Sequence, residues 1–453
     1  MSVDAVLQWR AGREAAAHEV HFGTDQAAVA DGTALVDTVP ANTYDPGGLD
    51  FGQTYYWKIV EVNQVETPVA WEGDLWSFAA QEYFVVEDFE PYDDDENRIF
   101  DAWLDGFVNG TGSTVGYFEA PFAERSIIHG GTQSMPLEYN NTDAPWYSEA
   151  ERTFAATQDW AANGADTLTV FFQGRPSDFL ERADGSIAIG AAGADIWGTA
   201  DEFRFVHKTL TGNGAIVARV DSIVDTDPWA KVGVMIRESL DPGSKFAAVY
   251  ITPGNGCRYQ ARQATSVDAV SDTSVATPEQ IAVTTPYWVK LERIDDEFGG
   301  YYSADGVTWT AMSWNPQTIA MPGAIHIGLA VTSHSVGNPT VAEFSEVATT
   351  GGVSGSWQVA AIGVEQPSND PDQLYVAVED ASGHLAVVKH PDPQATVLAG
   401  WQEWQIPLSE FTGVNMARVE MIYIGVGDRD NPQPAGSGLL FIDDIWVGHP
   451  AAD

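Results

Sequence analysis

The chain has 453 residues, 44 % of them hydrophobic, including 16 Trp; this is enough apolar material for several cores, and disorder is excluded. Lys and Arg total 21 against 65 Asp and Glu, a formal charge of −44, which argues against nucleic acid or an anionic membrane surface as partner and favours divalent cations. The lone Cys257 permits neither an internal disulfide nor a thiolate metal cluster, and no run of 18 apolar residues is present to insert into a membrane.

Strand signals dominate, and no convincing amphipathic helix is found. Runs such as Thr167 to Phe172, Ala215 to Val220 and Trp288 to Arg293 are β-branched or alternating. They are separated by short turns such as Asn255-Gly256 and Asp305-Gly306. That spacing predicts an all-β chain of sandwiches. Met1-Ser2-Val3-Asp4 leads straight into strand pattern with no visible signal peptide.

Residues 1–80 contain Leu7-Gln8-Trp9, His18 to Gly23, Tyr55-Tyr56-Trp57 and Trp76-Ser77-Phe78. This segment resembles a fibronectin type III-like module of secreted bacterial proteins, with only Met1 to Ala5 where such a module usually has its first strand. From Tyr83, the motifs Asp88-Phe89-Glu90, Trp103-Leu104-Asp105-Gly106, His129 to Met135 and Tyr147 to Ala150 follow in order. Together with Trp401 to Leu408 and Phe441 to Ile445 they resemble a galactose-binding-like jelly roll of the carbohydrate-binding-module type, covering 81–178 and 356–449. The resemblance implies that the first and last strands of this domain are neighbours. Between the halves, Trp197-Gly198, Trp229 to Arg237, Tyr287 to Leu291, Ser303 to Trp309 and Ile327 to Val331 resemble a concanavalin/laminin-G-like sandwich over 179–355. The expected architecture is therefore a small module followed by a jelly roll interrupted by a second sandwich, an insertion that the close chain ends of sandwiches permit.

The closing stretch Leu439 to Val447 reads as an apolar strand with two carboxylates, Asp443 and Asp444, in its middle and no Lys or Arg within ten residues. Strand alternation predicts that one of the pair points to the packed side, where a carboxylate needs a cation or several donors. Asp88 and Glu90, two apart in the opening strand, are expected to share a face and to meet them. The four acids, Asp88, Glu90, Asp443 and Asp444, are the candidate ligands of a structural Ca2+, with carbonyls of the Gly130-Gly131-Thr132 turn as further oxygens, as the jelly-roll resemblance also implies.

Sugar binding needs aromatic faces and hydroxyl-directed polar groups. Trp103, Trp146, Tyr147 and Glu149 are the candidate ligand-binding residues, because Ala150 and Phe154 alternate onto the core face and leave Tyr147, Glu149 and Glu151 on the other. No Gly-x-Ser-x-Gly elbow, His-Glu-x-x-His motif or Glu-x-Asp-x-x-Glu strand is present. The expectation is a non-catalytic, extracellular or cell-surface protein that binds a polysaccharide or other glycan and assists adhesion. Two alternatives stand beside it: a filament subunit that pairs with copies of itself by strand donation into the N-terminal module, and an accessory or catalytic region of a glycoside hydrolase.

Overall fold

The computed structural model describes residues 1–449. The chain is all-β, built from several sandwich sheets, with only four α-helices of four or five residues among the described residues.

In the first 80 residues, Ala17–Gly23 pairs with Leu35–Val39 and Thr54–Val62, and Thr54–Val62 also receives Ala70–Glu72 and Trp76–Ala79. A two-stranded sheet of Leu7–Gln8 and Thr43–Tyr44 faces it. The shared core is small, built on Val3, Leu49, Phe51, Tyr55 and Ala80.

The jelly roll is made of two sheets. One contains Gln402–Pro407, Thr167–Gln173, Ser437–Gly448, Met135–Asn140 and Ser113–Val115 in that order. The opening strand Tyr83–Glu87 pairs antiparallel with the end of Ser437–Gly448, Tyr83 opposite Gly448 and Glu87 opposite Ile445. First and last strands are thus neighbours across more than 350 residues of chain. The second sheet runs Tyr147–Gln158, Val419–Gly427, Leu374–Asp380, Leu385–Lys389. Between the sheets lies a core that includes Trp103, Trp160, Phe172, Val376 and Ile424.

The inserted sandwich takes its strands from Leu180–Glu181 through Ser335–Ile362. Two very long strands, Phe203–Ile223 and Ser335–Ile362, pair along their length and bend through both layers, so that the layers form one continuous sheet. Bulges between Leu210 and Gly214 and between Val217 and Arg219 supply the bends. Alternate residues of the same strands build two clusters: one face packs into an aliphatic core around Val206, Val234, Val249 and Leu329, and the opposite face carries an aromatic cluster around Phe203, Phe205, Phe246 and Tyr250.

Candidate functional site

The closing strand departs from simple alternation. Phe171 pairs with Asp443 and Val170 with Ile445, so Asp444 is an extra residue, a β-bulge, with φ of 39°. Ile442 and Ile445 therefore both enter the core, which a regular strand could not allow. One acid of the pair does take a packed position, as alternation predicts, although the bulge keeps both out of the apolar core between the sheets. Asp443 is fully enclosed, under the loop that carries His129 to Gln133. Its Oδ2 accepts from the backbone N–H of His129 (2.9 Å) and Gly130 (3.2 Å). Burial first, then repulsion from Asp444, pushes its pKa up to about 6 against the pull of these amides.

Asp444 reaches the same loop from the side and hydrogen-bonds His129 Nδ1 at 2.6 Å. The imidazole stacks on Phe171, centroids 3.8 Å apart, and meets Trp401 and Trp446 edge-on. Trp446 in turn stacks on Tyr83 at 4.0 Å, so an aromatic row covers this side of the sheet.

The opening strand ends at Glu87. Asp88 then caps the N–H of Glu90 (3.2 Å), and Phe89 takes a left-handed φ of 58° that swings its ring into the core. Asp88 and Glu90 are thus parts of a turn and not two positions on one strand face. Glu90 accepts from Thr132 N–H (2.8 Å), Thr132 Oγ1 (2.7 Å) and Gln133 N–H (3.1 Å). Burial raises its pKa, but these donors outweigh it and hold the group below the usual carboxylate range. Glu90, Asp443 and Asp444 consequently grip one loop from three directions. A Cβ at Gly130 would lie 2.5 Å from Asp444 Oδ2, so a larger residue there would displace that carboxylate. Asp88 is engaged with its own turn. Among the described residues no group of three or more His, Cys, Asp or Glu is arranged to hold a metal ion, so any cation at this loop would need backbone oxygens to complete its shell.

A different acid was missed by the reading of the sequence. Glu87 is buried, paired with Arg152, and accepts from Tyr92 Oη (2.6 Å), Phe89 N–H (2.9 Å) and the Trp103 indole N–H (3.0 Å). Trp103 itself has no exposed surface. This corrects its selection as a sugar-stacking residue: the indole is a core group whose one polar atom is spent on Glu87. The signal was present in the approach of Glu87 to a Trp-rich segment, but 16 residues of turn separate the partners.

Of the other sugar-binding candidates, Tyr147 and Glu149 share one strand face and Trp146 directly precedes them in the chain. On Tyr147–Gln158, Ala150 and Phe154 do face the core while Glu149 faces away from it. Trp146, at φ of 64°, is 37 % exposed, and Tyr147 next to it is half-buried. Glu149 is nearly enclosed. It accepts from Tyr375 Oη (2.7 Å) and Arg429 Nη1 (2.8 Å), and burial raises its pKa against the pull of these two partners. The Arg429 guanidinium lies 5.3 Å from the Tyr423 ring, whose hydroxyl donates to Glu379 (2.7 Å). This outer face of the four-stranded sheet carries a connected ladder of Tyr, Glu and Arg where a solvated sheet would need only isolated polar groups.

No protein-family model matches the chain, and no curated protein matches it. Among solved structures, the alginate lyase AlgAT5 of polysaccharide lyase family 7 is similar at 11 % identity, over 40 % of this chain and 94 % of that one, with a TM-score of 0.24. A GH43 protein, BlXynB from Bacillus licheniformis, is similar at 9 % identity over 72 % and 68 %, TM-score 0.25. Domains LG4-5 of the mouse laminin alpha1 chain are similar at 9 % identity over 62 % and 86 %, TM-score 0.21. Carbohydrate-active enzymes thus stand among the similar structures, and the expectation that the chain is not an enzyme is overturned on that finding. No helix among the described residues is long and apolar enough to cross a membrane.

Proposed function

We propose that the protein is an extracellular or cell-surface glycan-binding protein that holds polysaccharide on the outer face of the four-stranded jelly-roll sheet. The observation that carries this reading is half-buried Tyr147 on the same strand face as the fixed Glu149–Arg429–Tyr375 ladder, with exposed Trp146 next to it in the chain. Aromatic faces suit the C–H side of a pyranose, and the ladder supplies directional donors and acceptors for its hydroxyls at no further ordering cost. A Ca2+ bound at the 129–133 loop, with Asp443, Asp444 and Glu90 as acidic contributors, is part of the proposal. It is supported by an enclosed carboxylate at Asp443 that has a second acid beside it and no Lys or Arg against it. The fibronectin type III-like identity of the first 80 residues belongs to the same proposal, as a spacer.

The test is binding of the full chain to a polysaccharide panel, with and without EDTA, for the parent and for Trp146→Ala with Tyr147→Ala. A loss of at least about tenfold in affinity on the double substitution is expected, and unchanged binding would remove this face from the reading. Product analysis on the same panel, for reducing ends and for unsaturated ends, asks whether the bound glycan is also cut.

A second reading, self-association by strand addition, has its own support in the N-terminal module. Leu7–Gln8 pairs only with Thr43–Tyr44 among the described residues. Beside it Trp9, Trp57, Trp71 and Trp76 line a cleft of about 340 Å³, with Trp76 59 % exposed. An open edge next to uncovered aromatic surface is what an added strand would bury. Electron microscopy and light scattering on native material distinguish a polymer from a monomer.

A further inference from the structure

The inserted sandwich holds a second pocket, of about 290 Å³, remote from the jelly-roll face and lined by Asp195, Trp197, Trp229, Lys231, Gln260 and His334 among others. Its size lies at the lower end for small-ligand sites. We propose that this pocket binds one neutral, hydroxyl-rich sugar residue of a glycan.

Three features point there. The first is an unanswered polar atom. Gln260 is 2 % exposed, sits on Gly256–Arg262, the last long strand at that end of its sheet, and its side-chain oxygen Oε1 has no hydrogen-bond partner. A buried acceptor without a donor is costly unless a ligand supplies one, and a sugar hydroxyl is such a donor. Ser271, paired in register with Gln260, places its hydroxyl at the same wall, 2.6 Å from that of Thr273.

The second is charge balance. Lys231 is 1 % exposed and is bound by Asp195 and by the Trp229 carbonyl (3.2 Å). His334 lies between Asp195 and Asp227, 3.3 Å from each. Lys231, the one Lys or Arg among the described lining residues, is answered by a carboxylate, so the pocket favours hydroxyls over an anionic group. Trp197, 40 % exposed, supplies the indole face for a pyranose ring, while the Trp229 ring at the wall already carries Lys231 and Arg258 over it, each at 5.7 Å.

The third is the expense of the support. Trp197 is 40 % exposed on a tight hairpin, Ile196–Trp197 against Ala200–Asp201, that turns at Gly198 (φ 57°). Arg262, with no exposed surface, donates to the carbonyls of Trp197 (3.3 Å) and Gly198 (3.0 Å) and to both oxygens of Asp201 (2.7 and 2.6 Å). Arg237, equally buried, adds a third ion-pair contact to Asp201 (3.2 Å). Burying three charges is a poor way to gain stability but an effective way to fix a hairpin. On the far wall His334 holds a left-handed φ of 57°, strain of the kind that gathers at binding sites.

The inference rests on the glycan-binding reading for its ligand class but not for its site. Isothermal titration of the full chain with neutral gluco-, xylo-, manno- and galacto-hexasaccharides, and with hexagalacturonate as the charged control, tests it in three proteins: the parent, Trp197→Ala, and Gln260→Leu. At least one neutral hexasaccharide is expected to bind, with a loss of about tenfold or more in each variant. Gln260→Leu should keep or raise the thermal midpoint, because it removes an unpaired acceptor; a merely structural Gln260 would lower it. If binding survives both substitutions but is lost in Trp146→Ala with Tyr147→Ala, the pocket is refuted and the jelly-roll face stands. The opposite pattern refutes the face and keeps the pocket. Stronger binding of hexagalacturonate than of every neutral sugar refutes the stated ligand class, and no binding of any sugar refutes both sites.

Discussion

Asp201 in the inserted sandwich and Asp443 in the jelly roll are both enclosed carboxylates, and they are stabilised by opposite means. Asp201 faces two buried guanidinium groups, Arg237 and Arg262. Asp443 faces two backbone N–H groups and a second acid. The first arrangement is closed: the acid's counter-charge is supplied within the fold, and backbone carbonyls of Ser239, Asp241, Pro242 and Ser244 take up the surplus guanidinium donors. The second leaves a carboxylate with no Lys or Arg counter-charge against it, held by backbone N–H groups of the loop. A buried acid thus indicates a site only when the fold has not already supplied its counter-charge.

The sharpest way to break the comparison is Asp201→Asn. It strands two buried cations, and a loss of about 3–5 kcal/mol in unfolding free energy is expected from chemical denaturation. A loss below about 1 kcal/mol would show that the backbone carbonyls alone carry the arginines. Asp443 should respond instead to an added ion. Millimolar Ca2+ is expected to raise the thermal midpoint over an EDTA control, by about 3 kcal/mol equivalents if the ion is near a hundredfold above its dissociation constant. Asp443→Asn should abolish that rise, and a parent midpoint indifferent to Ca2+ would sink the metal proposal.

A smaller effect concerns pH in EDTA. The folded-state pKa of Asp443 is raised to about 6, so the folded chain holds this proton more tightly than the unfolded one. Its stabilising contribution is complete below about pH 4 and disappears as pH rises through about 6. At pH 7 Asp443→Asn should therefore stabilise the Ca2+-free protein, by about 1–2 kcal/mol after allowance for screening, measured by denaturation at about pH 5 and pH 7. A gain equal at both pH values would contradict the linkage. The smallest effect marks the other end of the scale: the half-exposed pair Lys290–Glu292, 2.7 Å apart, should contribute less than about 1 kcal/mol in a double-mutant cycle.

The gross fold was readable because each of its devices is local. Turn residues at short intervals announce sandwiches, and the apolar closing strand could be matched to its opening partner by composition alone. The bulge at Asp444 was not readable, since one extra residue changes no periodicity outside its own pair of positions. Neither was the fate of Trp103, because an indole placed for a sugar and one placed for a buried glutamate have the same sequence neighbours. The alternation that put Tyr147 and Glu149 on the outer face was correct, yet their working partners Tyr375 and Arg429 lie 226 and 280 residues from Glu149. The pocket at Gln260 left no pattern at all. Its residues come from separate turns and strands, and only the closed sheet brings them together.

The register of the opening and closing strands has a mechanical consequence. Tyr83 and Gly448 sit opposite each other, with His449 N–H bonded to the Glu82 carbonyl just outside them. Tension applied across residues 82 and 449 would therefore part the two strands like a zipper, one hydrogen bond at a time, and not by sliding them past each other. The inserted sandwich, whose strands lie between Gln173 and Leu374 in the chain, sits inside that seam and carries no load until the seam has opened. A stretched chain would yield at the jelly roll first, with the loop over Asp443 among the earliest parts to come free, while the pocket at Gln260 stayed intact.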